Sequence, residues 1–489
     1  MSIRRQSVSP IFPSLAAQNG TLTGRVTDAG DGSPLAGAAV RLSGGPGTTT
    51  GEDGTYRLSA APGNYELVVS RLGFTTAREP VTLSAGAATT RDVRLAETAA
   101  VLDAVVAVGT RRPDRTATDA PVPVDVLTAA DIQATGLTET AQIIQRLAPS
   151  VNFPRATVSD GTDHVRPATL RGLAPDQVLV LVNGKRRHNS ALVNVNGSVG
   201  RGSTAVDLNA LPASAIERIE ILRDGAAAQY GSDAIAGVIN IVLKQGGRRE
   251  AMLSAGQTTE GDGRVVQLAG TGGRDVGERG YVTFSAEFRD RENTNRSLPD
   301  TRQQYFANDP RNNNRAVVNH RQGDSDSRDI GGFLNAAFPF TPAIEGYVFG
   351  GISRRDGEAA GFFRRANDAR TVRSIHPDGF LPLISTDIVD GSGVAGVRGE
   401  AAGFRYDLSG VYGRNTFAFN VLNSNNVSMG NNSPTDFYAG TLRFDQTTFN
   451  LDLSRALALG LPEAVNVAFG AEYRRDGYGI EEGEEASYV

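Results

Sequence analysis

The sequence predicts a mainly β protein in three parts: an N-terminal β-sandwich, a small mixed α/β domain, and a run of about nine antiparallel strands. Three observations carry this. Turn residues punctuate the chain at short intervals between Gly20 and Glu97. Two β-branched runs flank a glycine-rich link between Ser214 and Lys244. From Gly247 onward, apolar and polar residues alternate with the two-residue period of a strand. The chain of 489 residues can bury several cores, and its 57 glycines, with no cysteine and no tryptophan, suit a β protein better than a helical bundle. Disulfides are excluded. With 49 Lys+Arg against 54 Asp+Glu and no long basic run, no nucleic-acid partner is expected. No run of about 18 apolar residues occurs, which excludes a transmembrane helix and leaves strands open.

Met1 to residue 19 reads as a leader remnant or a disordered start: Arg4 and Arg5 resemble a signal-peptide n-region and Leu15 to Gln18 a cleavage site, but the apolar stretch between them is missing. Residues 20–98 carry Asp31-Gly32-Ser33-Pro34, Asp53-Gly54 and Pro62-Gly63-Asn64 as turns, with Leu22, Val26, Val40, Leu42, Tyr56, Leu58, Leu67 and Val69 as inward positions, hence a sandwich. Residues 99–112, AAVLDAVVAVGTRR, form a valine run that can join a partner's exposed sheet edge or serve as a linker strand.

In residues 113–246, Thr128 and Asp131 read as a capping box, and Ala141, Ile144 and Leu147 share one helical face before Pro149. Val178–Val182 reads as a buried strand closed by an Asn183-Gly184 hairpin turn. Ile216 to Leu222 and Val238 to Leu243 are strands covered on both faces. In residues 247–489 the alternation is clear in Tyr281–Asp290, Phe404–Tyr412, Phe449–Leu453 and Val465–Tyr473; a strand between lipid and a wet lumen would carry the apolar set outside and the polar or charged set inside, and a soluble sandwich the inverse. Short links near Gly270–Gly280, Pro339–Ala343 and Ala456–Glu463 interleave with long polar ones, Arg291–Arg328, Asp356–Gly393 and Asn423–Thr441.

The ordered series Glu217, Arg218, Glu220, Arg223, Tyr230, Gly231 and Asn240 resembles the plug of a TonB-dependent outer-membrane receptor, as do Thr169-Leu170-Arg171-Gly172 and the strand and turn of Val178–Arg186. Residues 20–98 resemble a carboxypeptidase regulatory-like domain through Gly24-x-Val26-x-Asp28, Thr50–Leu58 and APGNYELVVSRLGF. That resemblance implies a binding or spacing module without catalytic residues. Asp103, Ala104, Val105, Val106, Ala107 and Val108, followed by Gly109-Thr110-Arg111, resemble a TonB box.

The resemblance implies an outer-membrane location and energy-coupled uptake of a siderophore, cobalamin or oligosaccharide-type ligand. The implied partners are the TonB periplasmic domain with its inner-membrane proton-driven motor, outer-membrane lipid, the small-molecule or oligosaccharide ligand, and a surface lipoprotein. Arg171, Gly172, Glu217, Arg218, Glu220, Arg223, Tyr230 and Gly231 form the plug motif, whose charges are expected either to pair with lumen charges or to make structural salt bridges. The last segment would be the first part of a transmembrane β-barrel, since a plug-bearing transporter closes with roughly 22 strands. Two alternatives stand beside this: a non-transporting β-rich binding protein and an inert truncated receptor product.

Catalysis and cofactors are not expected. His164, His188, His320 and His376 are far apart and make no His-x-x-x-His pair, and neither a phosphate-binding Gly-x-x-x-x-Gly-Lys-Ser/Thr loop nor a nucleophile elbow occurs.

Overall fold

Turn residues and alternating patterns fold into two units, residues 1–104 and 105–489. The computed structural model describes residues 19–43, 45–71, 74, 77–96, 123–195, 197–313, 317–457, 459 and 465–489. The leader reading and the Asp103–Val108 motif lie outside the described residues.

In the first unit the strands are β1 (Gly20–Asp28), β2 (Ala39–Leu42), β3 (Gly47–Thr49), β4 (Thr55–Ala60), β5 (Gly63–Ser70), β6 (Ala77–Leu83), β7 (Ala88–Thr90) and β8 (Val93–Leu95). They form one sheet in which β1 lies between β4 and β7 and also pairs β8, and a second of order β3-β2-β5-β6. Their alternate residues, among them Leu22, Val26, Val40, Leu42, Leu58, Leu67, Val69 and Leu83, close the core between the sheets. Gly24 has a steric reason: a Cβ there would lie 1.8 Å from the Arg91 carbonyl oxygen.

The second unit starts with a mixed five-stranded sheet of order β13-β12-β15-β14-β9. Its members are β9 (Val124–Thr128), β12 (Val178–Val182), β13 (Lys185–Arg186), β14 (Ile216–Leu222) and β15 (Gly237–Leu243); a two-residue pair, β10 (Val151–Asn152) and β11 (Thr169–Leu170), stands beside it. β12 runs parallel to β15, and the other pairings are antiparallel. Every residue of β12 is buried, as expected of a strand covered on both faces. Asn183 and Gly184 both have positive φ, the geometry of the tight hairpin turn the sequence predicts.

The capping box is present, but it opens a short helix, Ala129–Ala134, distinct from the amphipathic one, Thr140–Leu147, which buries Ala141, Ile143 and Ile144. Gly136, at φ 65°, breaks the helical path between them.

Nine antiparallel strands follow in sequence order: β16 (Arg249–Gly256), β17 (Val265–Val276), β18 (Gly280–Arg291), β19 (Asp326–Thr341), β20 (Ile344–Ala360), β21 (Leu383–Ala401), β22 (Phe404–Leu422), β23 (Phe437–Leu457) and β24 (Val465–Glu482). Short and long connections alternate as expected. The strands run further into the long connections than the sequence pattern indicates, because alternation continues through Gly- and Asp-containing stretches such as Asp356–Ala360 and Leu383–Gly393.

Outward residues such as Leu268, Phe284, Ile330, Ile352, Leu408 and Phe449 are more than half exposed. Their inward neighbours Thr271, Thr283, Ser285, Arg289 and Ser409 are buried. One expectation needs correction. The inner face is not uniformly polar: Phe333, Phe349, Val394, Val411 and Phe417 also point inward, where they pack against the plug.

The plug sheet yields a test. At Gly237, φ is 148°, and a Cβ would come within 2.2 Å of the Leu222 carbonyl oxygen and 2.6 Å of Leu170 Cδ2. Gly237→Ala is expected to destabilise the second unit by at least about 1–3 kcal/mol, read as a lower denaturant midpoint by near-ultraviolet circular dichroism with the sandwich transition unchanged.

Candidate functional site

The plug has long irregular segments whose backbone carbonyls cannot all be satisfied within its own sheet, and buried carbonyls need donors. Wall strands supply them. Arg289 Nη1 donates to the Thr138 carbonyl (2.7 Å), Thr271 Oγ1 to that of Ser214 (2.7 Å), Thr283 Oγ1 to that of Gly246 (3.1 Å), and Asn335 Nδ2 to that of Lys244 (3.0 Å). On the opposite side Tyr478 Oη donates to the Ala191 carbonyl (3.0 Å).

Ion pairs cross the same boundary in both directions. Glu139, at the start of the amphipathic helix, pairs with Arg291 of β18 and lies 3.5 Å from Arg166. Arg355 of β20 bridges plug and wall, 2.8 Å from Asp207 and 2.5 Å from Asp329 of β19. Just past the Asn183-Gly184 turn, four basic residues fan out across the wall. Lys185 reaches Asp407 of β22 at 2.9 Å. Arg186 holds Asp233 of the plug at 2.5 Å, and Asp233 is also bound by Arg474 of β24 at 2.6 Å. Arg187 and His188 both contact Asp390 of β21, the imidazole at 3.0 Å.

Glu139, Asp207, Arg187, His188, Arg355 and Asp390 are buried, so each needs its partners. Burial alone would raise the Glu139 carboxyl, but the Arg291 and Arg166 guanidiniums outweigh it and hold the group below the usual glutamate range. Burial, followed by the Arg355 and Arg291 charges, pushes the His164 imidazole down to about 3, so that ring stays neutral, with Nδ1 2.8 Å from Thr386 Oγ1.

The sequence-predicted plug motif occupies a different place. Glu220 and Asn240 are fully buried in the middle of the plug sheet. Asn240 Nδ2 donates to Glu220 Oε2 (3.0 Å), and its Oδ1 accepts from the Gly184 amide (2.9 Å), which ties β14 and β15 to the hairpin turn. Arg218 pairs with Glu220 at 2.8 Å, Arg223 with Asp125 of β9 at 3.0 Å, and Glu217 with Arg248 on the lead into β16 at 2.8 Å. Arg171 donates to the Arg223 carbonyl (3.1 Å), and Arg171-Gly172 turn with positive φ at both residues. The Tyr230 carbonyl accepts from Arg186, and Gly231 takes φ 89°.

The ion pairs of Arg218 and Arg223 therefore brace the plug, and that of Glu217 ties it to the lead into β16. The wall-facing pairs belong to Glu139, Arg166, Lys185, Arg186, Arg187, His188 and Asp207, a set the sequence reading missed. The Lys185–His188 run directly after a hairpin turn was its one local signal.

The long connections interlock at the other end of the strands. Arg311 pairs with Asp378 at 2.9 Å and lies over the Tyr305 ring, 4.0 Å from its centre; His376 Nε2 is 2.9 Å from the Ser424 carbonyl. Three Asp-x-Arg clamps repeat in these loops: Asp300-Arg302, Asp309-Arg311 and Asp368-Arg370. In each, one carboxylate oxygen accepts from the arginine backbone N–H and Nε and the other from Nη2.

Replacing Glu139 by Gln leaves the largely buried Arg291 without its counter-charge and Arg166 with Asp324 alone. A loss of about 3–5 kcal/mol is expected near neutral pH. Because the folded-state carboxyl is depressed, the wild-type advantage is full above the ordinary glutamate value of 4.5 and shrinks as pH falls below it. Denaturant midpoints of both chains between neutral and acidic pH check this; a gap that widens on acidification contradicts the assignment.

Comparison with known proteins follows the same division. Residues 116–238 match the TonB-dependent Receptor Plug Domain family, and residues 21–96 the Carboxypeptidase regulatory-like domain family. A ferric enterobactin receptor of Pseudomonas aeruginosa is 36% identical over 124 residues, 25% of this chain and 16% of the relative. The vitamin B12 transporter BtuB of Photobacterium profundum is 35% identical over 160 residues, 32% of this chain and 23% of the relative. The sequence matches span less than a quarter of these relatives' length. A crystal structure of the ferric enterobactin receptor of Pseudomonas aeruginosa shares the fold with a TM-score of 0.53 at 20% identity, covering 73% of this chain and 50% of that one.

Proposed function

Because the chain carries the plug and regulatory-like domains of a TonB-dependent receptor, we propose that it is the plug-bearing part of an outer-membrane receptor for energy-coupled uptake of a small solute. The observation that carries this is the polarity of the nine-stranded sheet: a row of exposed apolar side chains outside, and inside a buried set of charged and hydroxyl side chains bonded to the plug. A sheet between lipid and a hydrated bore requires that arrangement, and a soluble sandwich requires the reverse. The names of the relatives support a ferric siderophore or cobalamin as the ligand class, and an oligosaccharide-type compound also fits the long polar loops. No catalytic role is assigned.

Transport requires the plug to move, and a polar boundary suits that purpose. Water can take over hydrogen bonds to Thr271, Thr283 and Asn335 as the plug shifts, whereas an apolar boundary of the same area would resist separation throughout. The Asp103–Val108 segment precedes β9, the edge strand of the plug sheet, so a pull by the TonB periplasmic domain would reach β9 and its Arg223–Asp125 pair first. A soluble binding protein is the weaker reading, because contiguous exposed Phe, Ile and Leu on one sheet face is the mark of a membrane or protein contact.

Two outcomes follow. Val106→Pro removes a backbone donor and is expected to abolish capture of the chain by the TonB periplasmic domain in a pull-down, with ligand binding intact; unchanged capture rules out this segment as the coupling strand. The whole chain is expected to stay monodisperse only with detergent or lipid. A monodisperse, detergent-free preparation in gel filtration would favour the soluble alternative.

A further inference from the structure

We infer that two histidines of the plug, His164 and His188, are positioning residues that seat the plug by fitting their rings against glycines of the wall. The geometry is the same at both places. A Cβ on Gly413 of β22 would lie 2.1 Å from His188 Nδ1 and 2.9 Å from His188 Cβ. One on Gly357 of β20 would lie 2.7 Å from His164 Cδ2 and 2.8 Å from its Nε2. Neither glycine has the left-handed backbone that would call for glycine by itself. The close approach of the imidazole is what excludes a side chain.

Both seats are built around β21. Gly357 is paired in register with Thr386, whose hydroxyl holds His164 Nδ1. Gly413 is paired with Ser392, which binds Arg187, and Asp390 holds His188 Nε2 at 3.0 Å. Asn415, fully buried, closes the second seat: its Nδ2 donates to Asp390 (2.9 Å), and its Oδ1 accepts from the Ala191 amide (2.8 Å). Each ring thus rests on one strand and is oriented by a side chain of the next. A reciprocal contact lies nearby, where the Phe417 ring of β22 meets Gly161 of the plug, so close that a Cβ there would be 3.0 Å from Phe417 Cζ.

Ion pairs made by long side chains tolerate sliding, because Lys and Arg can follow a moving partner. A ring held against a backbone has no such slack. Two seats on either side of one strand therefore fix both the height and the rotation of the plug, and the surrounding ion pairs form around a position the rings already define. This inference does not depend on the ligand or on coupling to a motor.

The chain has no cysteine, so Ser190→Cys introduces a single thiol at a site that is buried beside Asn415. Its maleimide labelling rate in the full chain, in detergent micelles, reports plug displacement. Adding Gly413→Ala is expected to speed labelling by about tenfold or more. His188→Ala in place of Gly413→Ala removes the ring without adding bulk to the wall and, since the ring is what seats the plug, is expected to raise the labelling rate by a similar factor. Gly410→Ala, on the same strand with only ordinary contacts to Phe449, leaves it unchanged. If Gly413→Ala or His188→Ala labels at the parent rate, the seating role is wrong. Should Gly413→Ala fail to fold, His188→Ala alone decides, and labelling at the parent rate overturns the role.

Discussion

The plug cannot satisfy its own buried backbone and charges, and the wall exists in a form that completes them. Thr138, Ser214, Lys244 and Gly246 present carbonyls outward, and Arg289, Thr271, Asn335 and Thr283 meet them from three different strands. Loss of a donor costs about 1–3 kcal/mol for each carbonyl it leaves buried and unpaired; that of Gly246 also accepts from the Arg248 amide, and that of Thr138 from Gln267. The inner face of the sheet is therefore polar because the plug is irregular. The outer face is free to be apolar because the period of a strand separates the two sets of side chains completely.

The charged contacts follow from the same constraint. A lone buried charge is untenable, so charges occur where both sides can supply members: Glu139 and Asp207 from the plug against Arg291 and Arg355, and Lys185, Arg187 and His188 against Asp407 and Asp390. Such pairs contribute little net stability compared with apolar packing, but removal of one partner is severe. They hold the plug in its seating while leaving the boundary open to water once that seating is lost. Apolar contacts between Phe417, Leu192, Ile388 and Phe444 add a small dry patch to it.

The architecture was legible because its signals are local. Alternation in Tyr281–Asp290 or Phe404–Tyr412 needs only neighbouring residues, and Asn183-Gly184 announces a hairpin by backbone preference alone. The central cluster of Glu220 and Asn240 was visible as an ordered motif, but its purpose was not, since Asn240 acts on Gly184, which is 56 residues away. The wall contacts were illegible for the same reason. Gly357 and Gly413 look like ordinary glycines in glycine-rich strands, and only the plug's position shows what each makes room for. The inward Phe333, Phe349 and Phe417 break the simple rule of polar inside because the rule describes a strand facing water, and these residues face protein.

The loop clamps have a further consequence. In Asp300-Arg302, Asp309-Arg311 and Asp368-Arg370 the opposite charges cancel within three residues, bound in forked geometry. At distances beyond a few ångströms such a pair acts as a dipole, whose potential decays faster than that of a bare charge. Six formal charges of these loops thus add almost nothing to the far field. A solute meeting these clamps would therefore feel them only at touching range, through shape and directed hydrogen bonds, with little long-range attraction from solution.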